Sequence, residues 1–440
     1  MITLDGERLA AAAGAEVLGG GVSLGPRRAV IDSREVAEGD LFVGLRGEHA
    51  DGGRFAAEAL RAGAWGAIVT PDWARELAGR PEAERRWLLS APDPLASLQS
   101  LARHWRQQLG ARVVGITGST GKTSVKDVCR AILPGRVHVS PENYNTEIGL
   151  SLAVLAAAED TEALVLEMGM RGPGQVAELC AIAAPDIGVI TNVGPVHMEL
   201  LGSVEAIAAA KAEIIDGLTD GGTAVVPAEA GALEAHLERA DRVLRFGEGG
   251  DVRAKQVMAE AGETDAMIET PAGKHAFKLP FVAAHNLDNA LAAIAAGVAL
   301  GMPLEAMAER APGIVFSRLR GELVELPGNA ILINDSYNAN PISMRAALDH
   351  LASLGTEGRR LAVLGEMREL GPEAAAYHRE IGAHARERGV ELLIGVGELG
   401  AEYEPDERAD DAEAAADALA AALRPGDAVL VKGSRAVGLE

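Results

Sequence analysis

Short apolar runs alternate with helix-spaced apolar positions along most of this chain. Runs such as ALVLE at 163–167 and TAVVP at 223–227 have the length of a buried strand. Between such runs, apolar residues recur at i, i+3, i+4 and i+7, as they do over residues 125–132, which is the spacing of one helix face. Strands that alternate with helices predict parallel sheets with crossover helices, so the predicted fold class is α/β.

The alternation falls into three segments, which predict three domains. Residues 1–91 hold strand-like pieces separated by turns, and Pro92 and Pro94 mark a connection that leads into a helix. Residues 92–313 and 314–440 each repeat the alternation of strands and helices. An acidic, alanine-rich stretch near the end of the last segment predicts a solvated helix face rather than a binding site.

The stretch VVGITGSTGKTSVKD joins a predicted strand to a predicted helix. Gly118 and Gly121 let the chain bend so that backbone N–H groups converge on an anion at the helix N-terminus. Lys122 can then reach the outer phosphates of a nucleotide, and the Thr123 hydroxyl can bind Mg²⁺. Ile116 stands where the commonest form of this loop has its first glycine, so the loop is a shorter variant. The predicted phosphate-binding residues are Thr117, Gly118, Ser119, Thr120, Gly121, Lys122, Thr123 and Ser124.

Composition narrows the class of protein. A length of 440 residues, with 48% hydrophobic but only 3% aromatic residues, fits an α/β enzyme of two to four domains. The formal net charge of −23 would repel DNA and RNA, so no nucleic-acid partner is expected. Two cysteines predict no disulfide framework and a reducing, cytoplasmic compartment. The acidic N-terminus does not predict a signal peptide, and no uncharged run reaches the ~18 apolar residues of a membrane span.

Polar residues follow several predicted strands at their carboxyl ends, where open α/β sheets bind ligands. Glu167 follows ALVL and is either a second oxygen ligand for the Mg²⁺ beside Thr123 or a cap of the next helix. His197 lies on a Gly-Pro loop and is either a metal ligand or an ordinary surface or core histidine. Asp335 follows AILIN and could accept hydrogen bonds from ribose hydroxyls. We expect these groups to converge at one sheet edge.

Lys211 lies on the apolar face of a predicted helix, at i+4 from Ile207 and near Ile214 and Ile215. Its side chain either snorkels to solvent or is buried and functional. Burial would lower the pKa of the amine, and a neutral amine can add CO₂ to become a carbamate. Such a carbamate would supply an anionic oxygen for a second Mg²⁺ next to His197.

Two further residues have the chemistry of nucleotide contacts. Asn289, at a predicted helix start, could read an adenine edge, and Arg318 could pair with a phosphate. Each is individually ordinary, because asparagine-rich turns and surface arginines commonly serve only as caps and solvated groups.

Seven motifs, in this order along the chain, resemble the Mur ligase family of ATP-dependent amide-forming enzymes. They are TGSTGKTS, NYNTEIG, LEMGM, TNVGPVHMELLGS, AKAEI, HNLDNALAA and DSYNANP. Within the family, DSYNANP, LGEMRELG and VKGSRAVGLE resemble the members that add D-alanyl-D-alanine to UDP-N-acetylmuramoyl-tripeptide. The DSR and GDLFVGLRG elements resemble the UDP-binding domain shared with tripeptide-forming relatives.

The resemblance implies a reaction and a domain plan. An acyl phosphate forms from the peptide carboxylate and the ATP γ-phosphate, and the incoming amine then displaces phosphate. Residues 1–91 would form the UDP-substrate domain, 92–313 the central ATP-binding domain and 314–440 a Rossmann-like domain that closes over the site. The implied ligands are ATP, two Mg²⁺ ions, UDP-N-acetylmuramoyl-tripeptide and D-alanyl-D-alanine, and the implied state is a monomer.

The same resemblance implies roles for single residues. Lys122 would stabilise the transferring phosphate, Thr123 and Glu167 would hold one Mg²⁺, and His197 with carbamylated Lys211 would hold the second. The implied nucleotide contacts are Asn289, Arg318 and Asp335. The implied substrate contacts are Ser33, Asn145, Thr146, Tyr337, Asn338, Asn340, Lys432 and Ser434.

Some positions depart from the family pattern. Thr146 stands where the family has a second asparagine, Ala283 and Ser317 replace glycines, and Gly53 replaces the histidine of a DGHxF element. In relatives a little more sequence follows the last motif, so the sequence leaves open whether the C-terminus at Glu440 is complete. Two alternative functions stay open: a sister ligase that adds a single amino acid, and a nucleotide-binding regulatory protein that has lost catalysis.

Overall fold

The computed structural model describes residues 4–21, 24–47, 50–260 and 262–440. The first of its sheets is mostly parallel. The first elements are α1 (Gly6–Ala13), β1 (Glu16–Gly19), β2 (Ala29–Val30), β3 (Leu41–Val43), α2 (Ala56–Arg61), β4 (Gly66–Val69), α3 (Pro71–Leu77) and β5 (Trp87–Ser90). The strands lie in the order β1-β5-β4-β3-β2, and only the β1–β5 pair is antiparallel.

A six-stranded sheet forms the centre of the molecule. Its strands are β6 (Arg112–Thr117), β7 (Val137–Val139), β8 (Ala163–Glu167), β9 (Ile187–Ile190), β10 (Thr223–Pro227) and β11 (Arg242–Phe246). They lie in the order β11-β10-β9-β6-β8-β7, and every pair is parallel, as predicted. The helices of this region are α4 (Pro94–Gln108), α5 (Lys122–Ile132), α6 (Glu147–Ala156), α7 (Gln175–Ala183), α8 (Met198–Leu201), α9 (Val204–Asp216), α10 (Glu234–Leu237), α11 (Ala284–Ala299) and α12 (Leu304–Arg310).

A small antiparallel sheet follows, which the predicted alternation of strands and helices did not include. It consists of β12 (Arg253–Glu260), β13 (Glu263–Thr270) and β14 (Gly273–Leu279). In the middle strand Ala266 and Ile268 are buried on one face, while Asp265 is exposed. This period-two pattern is that of a sheet with one solvated face.

The last sheet is parallel except for one edge strand. Its elements are β15 (Glu322–Leu326), β16 (Ala330–Asn334), α13 (Pro341–Ser353), β17 (Arg360–Gly365), α14 (Ala374–Glu387), β18 (Val390–Val396), β19 (Glu407–Ala409), α15 (Ala412–Ala422) and β20 (Ala428–Lys432). The strand order is β15-β16-β20-β17-β18-β19, and β15 is antiparallel to β16. The acidic alanine-rich stretch forms α15, in which Ala415 alone is buried, so the solvated helix face was predicted correctly.

Helix α4 joins the first and central sheets into one core. Its residues Leu98, Leu101 and Trp105 are buried in a cluster that runs from the N-terminal sheet into the central one. The Ser100 hydroxyl donates to the Ala12 carbonyl in α1 (2.8 Å). The indole N–H of Trp105 donates to the carbonyl of Ala157, the residue that follows α6 (3.1 Å). The C-terminal sheet buries separate clusters of its own. The boundaries at 91/92 and 313/314 stay predictions.

The connection to the last sheet is bound to helix α5. The Ser317 backbone N–H donates to the Asp127 carboxylate (2.7 Å), and Arg130 donates to the Val315 carbonyl (3.2 Å). Because Ser317 is held through its backbone, the replacement of a glycine here leaves this anchor intact. Leu319 then adopts a left-handed conformation (φ 61°), which turns the chain toward the site.

Gly53, which replaces a family histidine, has a large neighbour. A Cβ at this position would lie 2.3 Å from Cδ1 of Trp73. The indole therefore occupies the space that a side chain at position 53 would need.

None of the helices in the described part of the chain has the length and apolar character of a membrane span.

Candidate functional site

The predicted phosphate-binding loop connects β6 to α5 at the edge of the central sheet. Gly118 (φ 148°) is so close to its neighbour that a Cβ would lie 1.8 Å from Oγ1 of Thr191. Gly121 (φ 82°) has the side-chain oxygen of Asn289 2.4 Å from the Cβ position. Both positions therefore require glycine, by conformation and by space.

The loop that follows β9, residues 191–194, is hydrogen-bonded to the phosphate-binding loop. The Ser119 hydroxyl accepts a hydrogen bond from the Gly194 N–H (3.0 Å). The Thr120 N–H donates to the side-chain oxygen of Asn192 (3.0 Å), and the Thr191 hydroxyl donates to the Thr120 carbonyl (2.5 Å). These hydrogen bonds give Ser119 and Thr120 a structural role in the loop.

Lys122 begins helix α5 and lies over the loop. Its Nζ donates to the Gly118 carbonyl (2.8 Å). Burial lowers the pKa of this amine, Glu167 opposes that effect, and the cationic Arg320 adds to it. The amine of Lys122 thus lies at the N-terminus of α5, where anions bind.

Thr123 and Glu167 form an adjacent pair of oxygen donors. The Thr123 hydroxyl lies 2.9 Å from Oε2 of Glu167, and the Asn145 amide donates to the other carboxylate oxygen (2.9 Å). Burial raises the pKa of Glu167, but Lys122 and these hydrogen bonds outweigh it and leave the pKa below its usual value. A hydroxyl beside an ionised carboxylate is a donor set that fits Mg²⁺.

His197 contacts a residue of the C-terminal sheet. Its backbone is left-handed (φ 53°) at the start of α8, and its Nδ1 is hydrogen-bonded to the carboxylate of Glu369, which follows β17. Burial lowers the pKa of His197, Glu369 opposes that effect, and Lys211 and Lys122 reinforce it. Glu369 is a residue that the sequence did not single out, although it lies within LGEMRELG.

Lys211 is buried in α9, with 2% of its surface exposed. Burial, reinforced by Lys122, lowers the pKa of Lys211 well below its usual value. Among the described residues no hydrogen bond or ion pair engages its amine. The snorkelling interpretation of this lysine was therefore wrong.

Lys122, Thr123, Glu167 and His197 line a cavity of about 1340 Å³ between the central and C-terminal sheets. That volume exceeds the roughly 300–1,000 Å³ of a site for one small ligand, so it has room for more than one. The predicted residues that line it are Ser119, Thr120, Gly121, Lys122, Thr123, Ser124, Asn145, Thr146, Glu167, His197, Asn289, Asp335, Tyr337, Asn338, Asn340 and Lys432. The predicted residues outside its lining are Ser33, Thr117, Gly118, Lys211, Arg318 and Ser434.

Two arginines line this cavity, Arg171 and Arg320, and Arg320 is the one that contacts the phosphate-binding loop. Arg318, the residue singled out from the sequence, is exposed. Arg320 donates to the Thr123 hydroxyl (3.2 Å), and its guanidinium carbon lies 3.8 Å from the centroid of the Tyr337 ring. The sequence FSRLRGE contains both Arg318 and Arg320, and Leu319, whose backbone is left-handed, lies between them.

The motif after β16 contributes a buried ion pair and an interdomain contact. Nζ of Lys432 donates to the Asp335 carboxylate (2.6 Å) and to the Asn338 carbonyl (2.9 Å). The Tyr337 hydroxyl donates to the side-chain oxygen of Asn143, in the central domain. DSYNANP thus closes one wall of the cavity.

Several predicted substrate residues have local structural partners. Asn340 caps α13 in a reciprocal capping box with Ser343. Thr146, which replaces a family asparagine, is the N-cap of α6. Ser434 is buried and accepts from the Arg368 N–H (2.9 Å), and Ser33 begins a 3-10 turn of the N-terminal domain.

A phosphate-binding loop, a carboxylate beside it and an α/β domain across the cavity are the features of an enzyme that acts on a nucleotide. Residues 116–297 match the Mur ligase middle domain, and residues 319–435 match the glutamate ligase domain of Mur ligases. The chain belongs to the Mur ligase family.

Relatives and solved structures agree with this placement. The UDP-N-acetylmuramoyl-tripeptide–D-alanyl-D-alanine ligase of Bacillus subtilis is 38% identical over 84% of this chain and 80% of the relative. The corresponding ligase of Synechocystis is 36% identical over 93% and 89%. MurF ligase from Thermotoga maritima, solved in complex with ADP, has a TM-score of 0.83 at 32% identity, covering 94% of this chain and 95% of that one. MurF from Acinetobacter baumannii has a TM-score of 0.87 at 26% identity, covering 99% and 97%. The predicted three-domain α/β fold is confirmed.

Proposed function

We propose that this chain joins D-alanyl-D-alanine to UDP-N-acetylmuramoyl-tripeptide, with conversion of ATP to ADP and phosphate. The observation that carries the proposal is the meeting of Lys122, the Thr123–Glu167 pair and Arg320 at one cavity. The cavity has room for a nucleotide and a peptide together. The similar ligases of Bacillus subtilis and Synechocystis, which are named for these two substrates, support the choice of substrates.

The reaction has two steps, and charge is the obstacle in the first. The tripeptide carboxylate attacks the γ-phosphorus of ATP, ADP leaves and an acyl phosphate forms. Lys122 from the central domain and Arg320 from the C-terminal side bring two cations to the phosphates, which offsets the repulsion between two anions. The amine of D-alanyl-D-alanine then attacks the acyl carbon, loses a proton and displaces phosphate.

Two Mg²⁺ ions are part of the proposal. When bound, they supply further neutralisation of the phosphate oxygens. Thr123 and Glu167 would hold one ion. The second would be held by His197 and a carbamate on Lys211, since a neutral lysine amine is not a ligand that Mg²⁺ prefers. The buried, uncompensated amine of Lys211 supports that modification.

The C-terminal domain would complete the nucleotide site and exclude water. Asn289, which packs against Gly121, and Asp335, which is oriented by Lys432, are proposed nucleotide contacts. Tyr337 joins the two walls of the cavity through Asn143. A covered site protects the acyl phosphate from hydrolysis. We place the reaction in the cytoplasm and treat the chain as a monomer.

Phosphate release tests this function. The chain is incubated with ATP, Mg²⁺ and UDP-N-acetylmuramoyl-tripeptide, and release is compared with D-alanyl-D-alanine, with single amino acids and without an amine. Lys122→Ala serves as the inactive control. We expect turnover with the dipeptide only. Turnover with a single amino acid would identify a sister ligase, and no turnover with any acceptor would contradict the proposal.

A further inference from the structure

Two residues with left-handed backbones face each other between the central and C-terminal sheets. His197 has φ 53° and Glu369 has φ 64°. Neither residue is glycine, and this conformation is uncommon for other residues. Such backbones persist where the surroundings over-determine them, and they cluster at functional sites.

The loops that carry these residues are also joined by backbone contacts. The Glu199 N–H donates to the Glu369 carbonyl (3.4 Å). A Cβ on Gly371 would lie 3.3 Å from Cα of Glu199, so the two loops are packed closely against each other. Nε of Arg171 lies 4.0 Å from the second oxygen of the Glu369 carboxylate. The carboxylate is therefore positioned from several directions.

The contact determines which histidine nitrogen is free. The Glu369 carboxylate accepts a hydrogen bond from Nδ1 of His197. In a neutral His197 the proton therefore lies on Nδ1, and the lone pair lies on Nε2. Histidines that bind metals in proteins almost always donate their other N–H to a carboxylate, carbonyl or water. In this chain that carboxylate comes from the other domain.

We propose that Glu369 is a positioning residue that prepares His197 to bind metal only while the C-terminal domain is in contact with the central domain. The inference rests on the proposed function, in which His197 holds the second ion. Its consequence is a reciprocal coupling, because a contact that strengthens metal binding must in turn be strengthened by the metal.

Mn²⁺ binding tests the proposal without reference to turnover. Bound Mn²⁺ is counted by electron paramagnetic resonance in the presence of a non-hydrolysable ATP analogue, for wild type, Glu369→Ala and Glu369→Gln. Glu373→Gln is the matched control, since Glu373 is exposed on the same loop and caps no helix N–H. We expect Glu369→Ala to keep one ion and to bind the second about 10–100-fold more weakly. Glu369→Gln, which can still accept the hydrogen bond, should lose less, and Glu373→Gln should match wild type.

Small-angle scattering tests the coupling in the same samples. Mn²⁺ should make wild type and Glu373→Gln more compact, and should do so less in Glu369→Ala. Circular dichroism checks that the variants are folded. If Glu369→Ala does not fold, Glu369→Gln, which preserves the size of the side chain, takes its place.

A second Mn²⁺ bound as tightly in Glu369→Ala and Glu369→Gln as in wild type would overturn the inference. His197→Ala separates this failure from that of the proposed metal site. If His197→Ala loses the second ion while both Glu369 variants keep it, only the positioning role is wrong. If His197→Ala also keeps it, the metal role of His197 is wrong as well, while phosphate release still tests the ligase reaction independently.

Discussion

The guanidinium of Arg320 lies 3.2 Å from the hydroxyl of Thr123, a residue 197 positions earlier in the chain. The ring of Tyr337 stacks on the same guanidinium and so limits its freedom. A fixed cation from the C-terminal side is thereby presented to the phosphate-binding loop.

Replacing this arginine tests its role against that of its neighbour. We expect Arg320→Ala to lower kcat for phosphate release by roughly 10³-fold, because a cation at the transferring phosphate is lost. Arg318→Ala should stay near wild type, since Arg318 is exposed. Equal losses in the two variants, or a loss confined to Arg318→Ala, would contradict the role of Arg320 and support the prediction of Arg318 made from the sequence.

Removing Lys211 tests the carbamate. We expect Lys211→Ala to lose activity by about 10²-fold or more and to recover part of it with acetate or formate, which can replace the missing carboxylate. Wild-type enzyme incubated with ¹³CO₂ should show a carbamate signal by ¹³C NMR that is absent from Lys211→Ala. Lys255→Ala, at an exposed lysine, is the control. A fully active Lys211→Ala enzyme would exclude the carbamate.

His350 predicts a loss of stability in mild acid. Burial, with help from His285, lowers its pKa to about 4, and Asp335 only partly opposes this. The unfolded chain takes up the proton near pH 6.5, so stability that is present above that pH is lost as the pH falls toward 4. Between pH 7 and pH 5 the loss is about 2 kcal/mol. Urea unfolding should show this part of the pH dependence to be absent in His350→Leu and retained in His275→Gln.

Restoring the family histidine at position 53 should destabilise this chain. The side chain would meet the Trp73 ring, and such overpacking costs about 1–3 kcal/mol. Thermal unfolding should show a lower Tm for Gly53→His, and Trp73→Ala added to that variant should recover part of the loss. Gly20→His, which meets nothing within 4 Å, is the control. An unchanged Tm for Gly53→His would contradict the packing argument.

Much of the architecture was predictable because strand and helix spacing is a local property. The strands at 163–167 and 223–227 and the helix after the phosphate-binding loop lie where the apolar pattern placed them. The antiparallel sheet β12–β14 was missed because its strands carry many polar residues on a solvated face.

The site was predictable only as far as strand ends determine it. Glu167 lies beside Thr123 because β6 and β8 are adjacent and parallel. The choice between Arg318 and Arg320 depends on the path of the backbone between them, and the contact of Glu369 with His197 depends on how two domains dock. Neither leaves a periodic signal in the sequence.

The apolar cluster that helix α4 carries from the first sheet into the central one predicts that these two domains unfold as a single cooperative unit. Removing residues 1–91 would take away α1, which packs against α4, and would leave part of this apolar cluster as an aggregation-prone surface. Calorimetry should accordingly resolve two melting transitions rather than three. On this expectation, what the sequence divides into three domains would unfold as two bodies, one of which contains the first two domains.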